Sequence, residues 1–329
     1  MNRFSSFSDA ELLKNAGVKL NNDYFIFLKG AEDRAYSVLE KYYEMICPKK
    51  IIMIDSRLKN ESLTAEDMQK YNSVDSLLSE KGISTIKTIS IEDSNIGKSL
   101  AGEEITESST VAIDISSMNF WELSGLLYYL FRIVSVQQVD LFYTEPGLYH
   151  YEDNNISQYA YKEAKVSVNY IKSYFSTKTT EDEVLVSLLG FQKHVNKLMK
   201  DLFEISGHYS VNGFPSFYPK AKDISQVNNA DYLSEIEPAN RYSAEATNPF
   251  ITYNTLVDIR KATHGAFMNI CPMCSKPMAV GACLYALNNP DTTRIVYPYE
   301  ETIMTKSDGI GHTHCYSINK SLVASERPE

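Results

Sequence analysis

An apolar run that leads through a glycine into a helical pattern occurs twice in this chain, and it indicates the fold. The first copy is Tyr24–Leu28, with sequence YFIFL, followed by Gly30. The second is Val184–Leu189, with sequence VLVSLL, followed by Gly190. Uninterrupted apolar runs followed by amphipathic helices are typical of the buried strands of a parallel sheet. The repetition therefore predicts a duplicated α/β unit.

A second junction between strand and helix recurs in each half. Val111–Ser117 (VAIDISS) precedes a helix that starts near Asn119, and Phe267–Cys271 (FMNIC) precedes another. Asn119 with Glu122 matches the capping box that begins a helix. Each half then ends on a tyrosine-bearing apolar run. This alternation predicts an α/β fold of two tandem Rossmann-like units with mostly parallel sheets, related by pseudo-duplication.

The same patterns predict the elements and the domain boundary. In the first half we expect strands at 24–28, 51–55, 83–91, 111–115 and 139–143, and helices near 32–45, 64–81 and 119–134. A short helix capped by Ser8 and Asp9 precedes them. We place the first domain at 1–178 and the second at 179–329. Residues 207–264, rich in proline and polar side chains, are interpreted as an insertion that serves either as a lid or as a structural segment.

Composition narrows the function classes. The chain has 329 residues, which favours two domains, and a net charge of −10, which disfavours binding to long nucleic acids but permits a small anion. No apolar run is long enough to span a bilayer, and no secretory signal is visible. The five cysteines are odd in number and do not form a disulfide framework. We therefore expect a cytoplasmic protein that makes no membrane contact and needs no cofactor.

The glycines mark candidate ligand contacts, because open α/β sheets bind ligands at the carboxyl ends of their strands. Gly30 permits close backbone approach, and Arg34 follows it as a possible partner for an anion. In the second half Gly190 is followed by Lys193. Acidic residues beside Gly30 are also common in the first turn of any helix. The sequence therefore predicts that the second half, rather than the first, holds the phosphate.

The second junction supplies further candidates. Asp114, Ser116 and Ser117 place a carboxylate and two hydroxyls before a helix, although capping alone explains one serine. Ser275 and Lys276 stand at the matching place, where a lysine and the helix dipole would act together on an anion. At the end of the last strand of the first half, Glu145 is either a contact for ribose or base groups or a solvated carboxylate at the rim.

The stretch Cys274–Met278 (CSKPM), followed by the small residues Ala279–Ala282 (AVGA), resembles the turn of CARF (CRISPR-associated Rossmann fold) domains. Asp114–Met118 (DISSM) is similar to the hydroxyl-rich turn of that family. Cys274 stands where a glycine is usual. The resemblance implies a sensor of cyclic oligonucleotides in prokaryotic defence, whose two copies, here fused in one chain, line one pocket with these turns.

Two alternatives remain from the residues themselves. Cys271 and Cys274, with His312 and Cys315 farther along, supply enough ligands for a structural zinc, although the first pair falls at a strand end rather than on a knuckle turn. An acid/base role is open to Asp114, Glu145 and His264, because carboxylates and imidazole transfer protons.

The sequence thus leads to one main hypothesis and two competing ones. The main hypothesis is a module that binds a nucleotide or nucleotide second messenger and acts through a separate effector protein, with homo-oligomerisation left open. The second is an enzyme that cleaves a nucleotide ligand by phosphodiesterase or glycosidic-bond chemistry. The third is a structural subunit of a defence complex. Because Lys193 and Lys276 belong to the second half, we expect that half to hold the phosphate.

Overall fold

The computed structural model describes residues 5–56, 64–83, 86–91, 96–149, 182–191, 195–202, 205, 207–297 and 307–323. The chain forms two compact units, Met1–His150 with Thr305–Ala324, and Tyr151–Met304 with Ser325–Glu329. Each unit is built on its own sheet.

The strands are β1 (Ser5–Asp9), β2 (Tyr24–Leu28), β3 (Lys50–Ser56), β4 (Ile86–Ile91), β5 (Thr110–Asp114), β6 (Gln138–Tyr149), β7 (Glu183–Leu188), β8 (Gly207–Gly213), β9 (Arg241–Ala244), β10 (Phe267–Pro272), β11 (Thr293–Ile295) and β12 (Ser307–Asn319). The α-helices are α1 (Ala10–Asn15), α2 (Ser37–Ile46), α3 (Ala65–Glu80), α4 (Ile96–Leu100), α5 (Phe120–Tyr128), α6 (Val195–Leu202), α7 (Ala221–Asn228), α8 (Ala230–Ser234), α9 (Pro249–Ala262) and α10 (Lys276–Asn288). A π-helical turn, Tyr129–Val134, extends α5.

The first unit contains a seven-stranded sheet in the order β1-β12-β6-β5-β2-β3-β4. The five strands from β4 to β6 are parallel, while β12 pairs antiparallel with β6 and β1 pairs antiparallel with β12. Counted along the chain, the parallel strands lie in the order third, second, first, fourth, fifth.

The second unit has the same parallel arrangement. Its five strands lie in the order β9-β8-β7-β10-β11, and every pair is parallel. This is again the order third, second, first, fourth, fifth. The predicted fold class, two tandem Rossmann-like α/β units related by pseudo-duplication, is therefore confirmed.

The interpretation of residues 207–264 as an insertion is wrong. This segment contains β8 and β9, the second and third strands of the ordinary Rossmann-like order, together with α7, α8 and α9. The two strands were missed because they are polar: β8 reads GHYSVNG and β9 reads RYSA. The pairing of β8 with β7 and of β9 with β8 places them in the sheet despite that composition, because neighbouring strands and not side-chain hydrophobicity satisfy their backbone groups.

The predicted second domain also reaches too far. Thr305–Ala324 belongs to the first unit, because β12 fills the space between β6 and β1. Cys315, Tyr316 and Ile318 of β12 are buried there. The predicted boundary near 178 lies outside the described residues.

Most predicted elements of the first half agree with the structure to within a few residues, and both predicted helix starts are observed. Asn119 and Glu122 form the capping box of α5, and Ser275 caps α10 with Pro277 in its first turn. The helix predicted from residue 32 begins instead at Ser37. None of the helices in the described ranges is long and apolar enough to cross a membrane.

Candidate functional site

The strand order of each sheet reverses at one place, between β2 and β5 in the first unit and between β7 and β10 in the second. In open α/β sheets, ligands bind in the crevice beyond the carboxyl ends of the strands at such a reversal. The turns that follow these strands carry Gly30 and Ser116–Ser117 in the first unit, and Gly190 and Ser275 in the second. We take these turns as the candidate site of each unit.

In the first unit the two turns touch. A Cβ atom built on Gly30 would lie 2.8 Å from Ser117 Oγ and 3.0 Å from Ser117 Cβ. Carbon atoms in ordinary contact are about 3.5–4.0 Å apart, so a side chain at position 30 would force the turns apart. The Gly30 N–H donates to the Tyr36 hydroxyl at 3.1 Å, and that hydroxyl donates to the Tyr71 carbonyl. Glycine is therefore required here for close approach.

Arg34 is buried and joins the Gly30 turn to the middle of β6. Its Nε lies 2.6 Å from Glu32 Oε2, and its Nη1 donates to the Thr144 carbonyl at 2.9 Å. The guanidinium also lies over the Tyr143 ring. These contacts explain why residues 32–34 form a turn instead of the first turn of the predicted helix. They give Arg34 a positioning role.

The second turn of the first unit is held by a chain of hydrogen bonds. Asp114 Oδ1 accepts from the Ser116 N–H at 2.9 Å, and Ser116 Oγ accepts from the Thr144 N–H at 2.9 Å. The Thr144 hydroxyl then bonds to Ser37 and to Thr313 of β12. Asp114 and Ser116 are buried. They orient the turn from inside. Ser117, the next residue, is half-buried, and its Oγ is buried.

Asp33 links the Gly30 turn to the C-terminal strand. Its Oδ2 accepts from the Gly309 N–H at 2.8 Å, and its Oδ1 lies 2.8 Å from Lys70 Nζ. The hydrogen bond with Lys70, followed by that with Gly309, lowers the pKa of Asp33 below its ordinary value. The carboxylate therefore stays ionised in the folded protein and fixes the turn from outside.

Glu145 meets a residue that sequence reasoning did not assign to it. His314 Nε2 lies 2.6 Å from Glu145 Oε1, and each side chain is 12% exposed. The imidazole is flanked by the rings of Phe7 and Tyr316. A carboxylate bonded to one imidazole nitrogen selects the tautomer and orients the ring. The only sequence signal was a histidine among strand-forming residues, which does not reveal the partner.

In the second unit the turn after β10 packs against the turn after β9. Ser275 Oγ donates to the Ala246 carbonyl at 2.7 Å and accepts from the Met278 N–H. Lys276 is half-buried at the first position of α10, where the positive end of the helix dipole reinforces its charge. A Cβ on Gly213, at the end of β8, would lie 3.1 Å from Ala246 Cβ, so these turns are also closely apposed.

The turn that begins at Gly190 is held by amide side chains. Asn229 Nδ2 donates to the Gly190 carbonyl at 3.0 Å, and Asn228 Nδ2 donates to the Phe191 carbonyl at 2.7 Å. Both asparagines are buried. Lys193, the predicted phosphate contact of this turn, lies outside the described residues.

His264 does not join either set of turns. It follows α9 with a positive φ of 52° and is exposed, before the first residue of β10 and thus at the opposite edge of the sheet from Lys276. Among the predicted contacts, the structure brings together Gly30 and Ser117 in the first unit, with Arg34, Asp114 and Ser116 supporting them. The convergence of both halves on one ligand stays a prediction.

The four proposed zinc ligands do not assemble. Cys271, Cys274, His312 and Cys315 all lie in the described part of the chain, where no group of three or more histidine, cysteine or acidic residues could hold a metal ion. Cys315 packs in the core of the first unit beside Phe142, and burial raises the pKa of its thiol. A zinc ligand must be a thiolate, so this environment opposes metal binding.

Comparisons with known proteins give weak similarities. No family model and no curated protein matches the chain. A functionally unknown protein of Pseudomonas aeruginosa PAO1 is 7% identical, with TM-score 0.26, over 85% of this chain and 93% of that one. PKMT2 of Rickettsia typhi, in complex with AdoHcy, is 8% identical, with TM-score 0.28, over 98% of this chain and 55% of that one. Haemonchus contortus phosphoethanolamine N-methyltransferase 1, in complex with phosphoethanolamine and S-adenosylhomocysteine, is 8% identical, with TM-score 0.25, over 94% of this chain and 90% of that one.

Proposed function

We propose that this chain is a cytoplasmic module that binds a nucleotide or nucleotide second messenger, in the manner of fused CARF-like domains, and acts through a separate effector protein. One observation carries the proposal. Both units have the same strand order, and beside the reversal each has a glycine turn and a turn with a serine, Gly30 with Ser117 and Gly190 with Ser275. A duplicated crevice of this kind suits a ligand with phosphate and hydroxyl groups.

The charge of the turns supports a phosphate at the second unit. Lys276 begins a 13-residue helix, so its ammonium group and the helix dipole act on the same side of the crevice. In the first unit the acidic residues Glu32, Asp33 and Asp114 are engaged with Arg34, Lys70 and backbone N–H groups. At the place of Lys276 the first unit has hydroxyl-bearing residues, Ser116 and Ser117, which favours ribose or base groups there.

Thermal shift and calorimetry test this function with a panel of cyclic oligonucleotides, linear dinucleotides and mononucleotides. At a ligand concentration of 100 times Kd, binding raises stability by about 2.7 kcal/mol, which a thermal shift detects. We expect Lys276→Ala to weaken binding about tenfold, equivalent to about 1.4 kcal/mol for a lost charge-assisted contact. The matched control is Lys261→Ala, which should bind normally. Lys261 lies in the last turn of α9 and is paired with Asp258.

If no member of the panel stabilises the protein, the proposal is overturned. Equal losses in Lys276→Ala and Lys261→Ala would show that general charge, and not the α10 turn, is responsible.

A second function, cleavage of the nucleotide ligand, is favoured by the Glu145–His314 pair. A carboxylate hydrogen-bonded to an imidazole can pass a proton between the two groups, as acid/base catalysis requires. Chromatography of the ligand after long incubation separates the two functions. Recovery of intact ligand indicates a sensor, whereas products that vanish in Glu145→Gln indicate an enzyme.

A further inference from the structure

Phe214 is an aromatic side chain that the protein leaves half in solvent at the carboxyl edge of the second sheet. It directly follows β8, and it is 50% exposed, against 37% for Phe7, the other exposed phenylalanine of the described ranges. Burial of a phenyl ring is strongly favourable. A ring left in water at the edge where α/β sheets bind ligands is therefore a candidate contact surface.

The backbone beside the ring is fixed by hydrogen bonds to the turn that follows β9. The Phe214 N–H donates to the Ala244 carbonyl at 2.7 Å, just beyond the last pair of the β8–β9 ladder. The Pro215 carbonyl accepts from the Ala246 N–H at 2.8 Å. The position of the ring is thus set before any ligand arrives, and such preorganisation lowers the entropy cost of binding.

A cation orients the side chain itself. Lys222, in the first turn of α7, places its Nζ 4.4 Å from the centroid of the Phe214 ring. A cation at this distance over an aromatic face is attracted by the quadrupole of the ring. One face of the ring thus carries an ammonium group, and the opposite face is the one on which a planar group can stack.

The ring lies across the sheet edge from the Lys276 turn. Successive side chains of a strand point to opposite faces. A Cβ on Gly213 would lie 3.2 Å from Sδ of Met278, in the first turn of α10, whereas Phe214 lies with Lys222 of α7. The ring and the lysine of the α10 turn therefore flank the carboxyl edge from its two sides.

Ala246 connects the ring to that turn. Its N–H donates to Pro215, the neighbour of Phe214, and its carbonyl accepts from the Ser275 hydroxyl at 2.7 Å. Ser275 immediately precedes Lys276. The aromatic ring and the lysine therefore belong to one packed set of turns, at the edge where open α/β sheets hold their ligands.

We propose that Phe214 stacks on the base of a nucleotide whose phosphate lies at the Lys276 turn. The inference rests on the proposed function and identifies the side chain that holds the base in the second unit. Every base has a π-face, so stacking on a ring selects planar heterocycles without selecting one base by hydrogen bonds. The site therefore distinguishes a nucleotide from a sugar phosphate through the base.

Calorimetric titrations of AMP, cyclic di-AMP and ribose 5-phosphate test this stack. The proteins are wild type, Phe214→Ala, Phe214→Tyr and the control Val227→Ala, which removes another exposed apolar group, 56% exposed, from the last turn of α7. We expect Phe214→Ala to bind the adenine nucleotides about 5- to 150-fold more weakly, equivalent to about 1–3 kcal/mol per stacked base. Phe214→Tyr keeps the ring, so it and Val227→Ala should bind as wild type does. Ribose 5-phosphate has no base and should not distinguish the four proteins.

A fluorescent side chain at position 214 gives a second readout. The chain has one tryptophan, Trp121 of the first unit, so the double variant Trp121→Phe, Phe214→Trp carries its only indole at the proposed stack. AMP should quench the emission of this indole, because base and indole are in contact, whereas ribose 5-phosphate should not. Trp121→Phe alone supplies the background.

Two outcomes overturn the inference: adenine-nucleotide affinity in Phe214→Ala equal to that of wild type, or unchanged indole emission in the double variant at saturating AMP. If nucleotides still bind in those cases, the proposed function stands without this stack. If wild type binds neither adenine nucleotide but another nucleotide of the panel, that nucleotide replaces AMP in both assays. If no nucleotide of the panel binds wild type, the inference and the proposed function both fail.

Discussion

Replacement of Gly30 by alanine tests whether the two turns of the first unit are in contact. The new Cβ would lie 2.8 Å from Ser117 Oγ, 3.0 Å from Ser117 Cβ and 3.3 Å from Ala35 Cβ. Rotation of the serine hydroxyl relieves only the first contact, since Ser117 Cβ is fixed to the backbone. Insertion of one methyl group into such a packed place costs about 1–3 kcal/mol.

The assay is thermal and urea unfolding of purified protein. For a unit of this size, about 1 kcal/mol shifts the midpoint by about 2–4 °C, so Gly30→Ala should lower it by about 2–12 °C. Gly102→Ala is the matched control: its new Cβ would meet nothing within 4 Å, and it should change stability by less than about 0.5 kcal/mol.

A double-mutant cycle identifies the cause of that loss. Ser117→Gly removes both of the closest atoms, so the double variant Gly30→Ala, Ser117→Gly should be about as stable as Ser117→Gly alone. The coupling energy should then equal the cost of Gly30→Ala, about 1–3 kcal/mol with the opposite sign. Simple additivity of the two changes would refute the contact and, with it, the apposition of the turns at the sheet reversal.

Three further predictions concern packing and charge. Gly281→Ala would place a Cβ 2.3 Å from the Pro249 carbonyl oxygen, a backbone atom that cannot rotate away, so we expect a loss of about 3 kcal/mol or more in urea unfolding. Tyr316→Ala should cost about 3–5 kcal/mol and, in hydrogen exchange, expose amides of β6 but not of β10; equal exposure of both would contradict the assignment of β12 to the first unit. The pKa of Asp33, which pairs with Lys70, is lowered, so its contribution to stability is present above the ordinary pKa near 3.8 and is lost as the pH falls below that value. Asp33→Asn removes this contribution, and its unfolding midpoint should therefore fall less steeply from pH 5 to pH 2 than that of wild type.

The contacts divide the candidate residues of the first unit into two kinds. Arg34, Asp114 and Ser116 are buried and bonded to the protein's own backbone, so their substitution should lower stability before it alters ligand affinity. Ser117 is half-buried at the crevice and Lys276 holds a comparable place in the second unit. The proposed function places its ligand contacts at these last two residues.

Local pattern was sufficient for most of the first unit. The run Tyr24–Leu28 was recognisable as a strand because all five of its side chains are buried, which requires an uninterrupted apolar sequence. The cap pair Asn119 and Glu122 was equally readable, since capping depends on residues only a few positions apart. The duplication followed from the same local signals.

Other features depended on the tertiary structure. Strands β8 and β9 are polar and were recognisable only through the pairing of β8 with β7 and of β9 with β8. The path of β12 into the first unit joins Glu145 to His314, which are 169 positions apart in the sequence. The sequence predicted that Gly30 lies in a turn, but it did not predict the contact of that turn with Ser117. The sequence by itself determined the repetition and most elements of the first half, because these follow from local periodicity. The fold decided which polar strands join a sheet and which distant side chains meet, because that depends on strand order and register across the sheet.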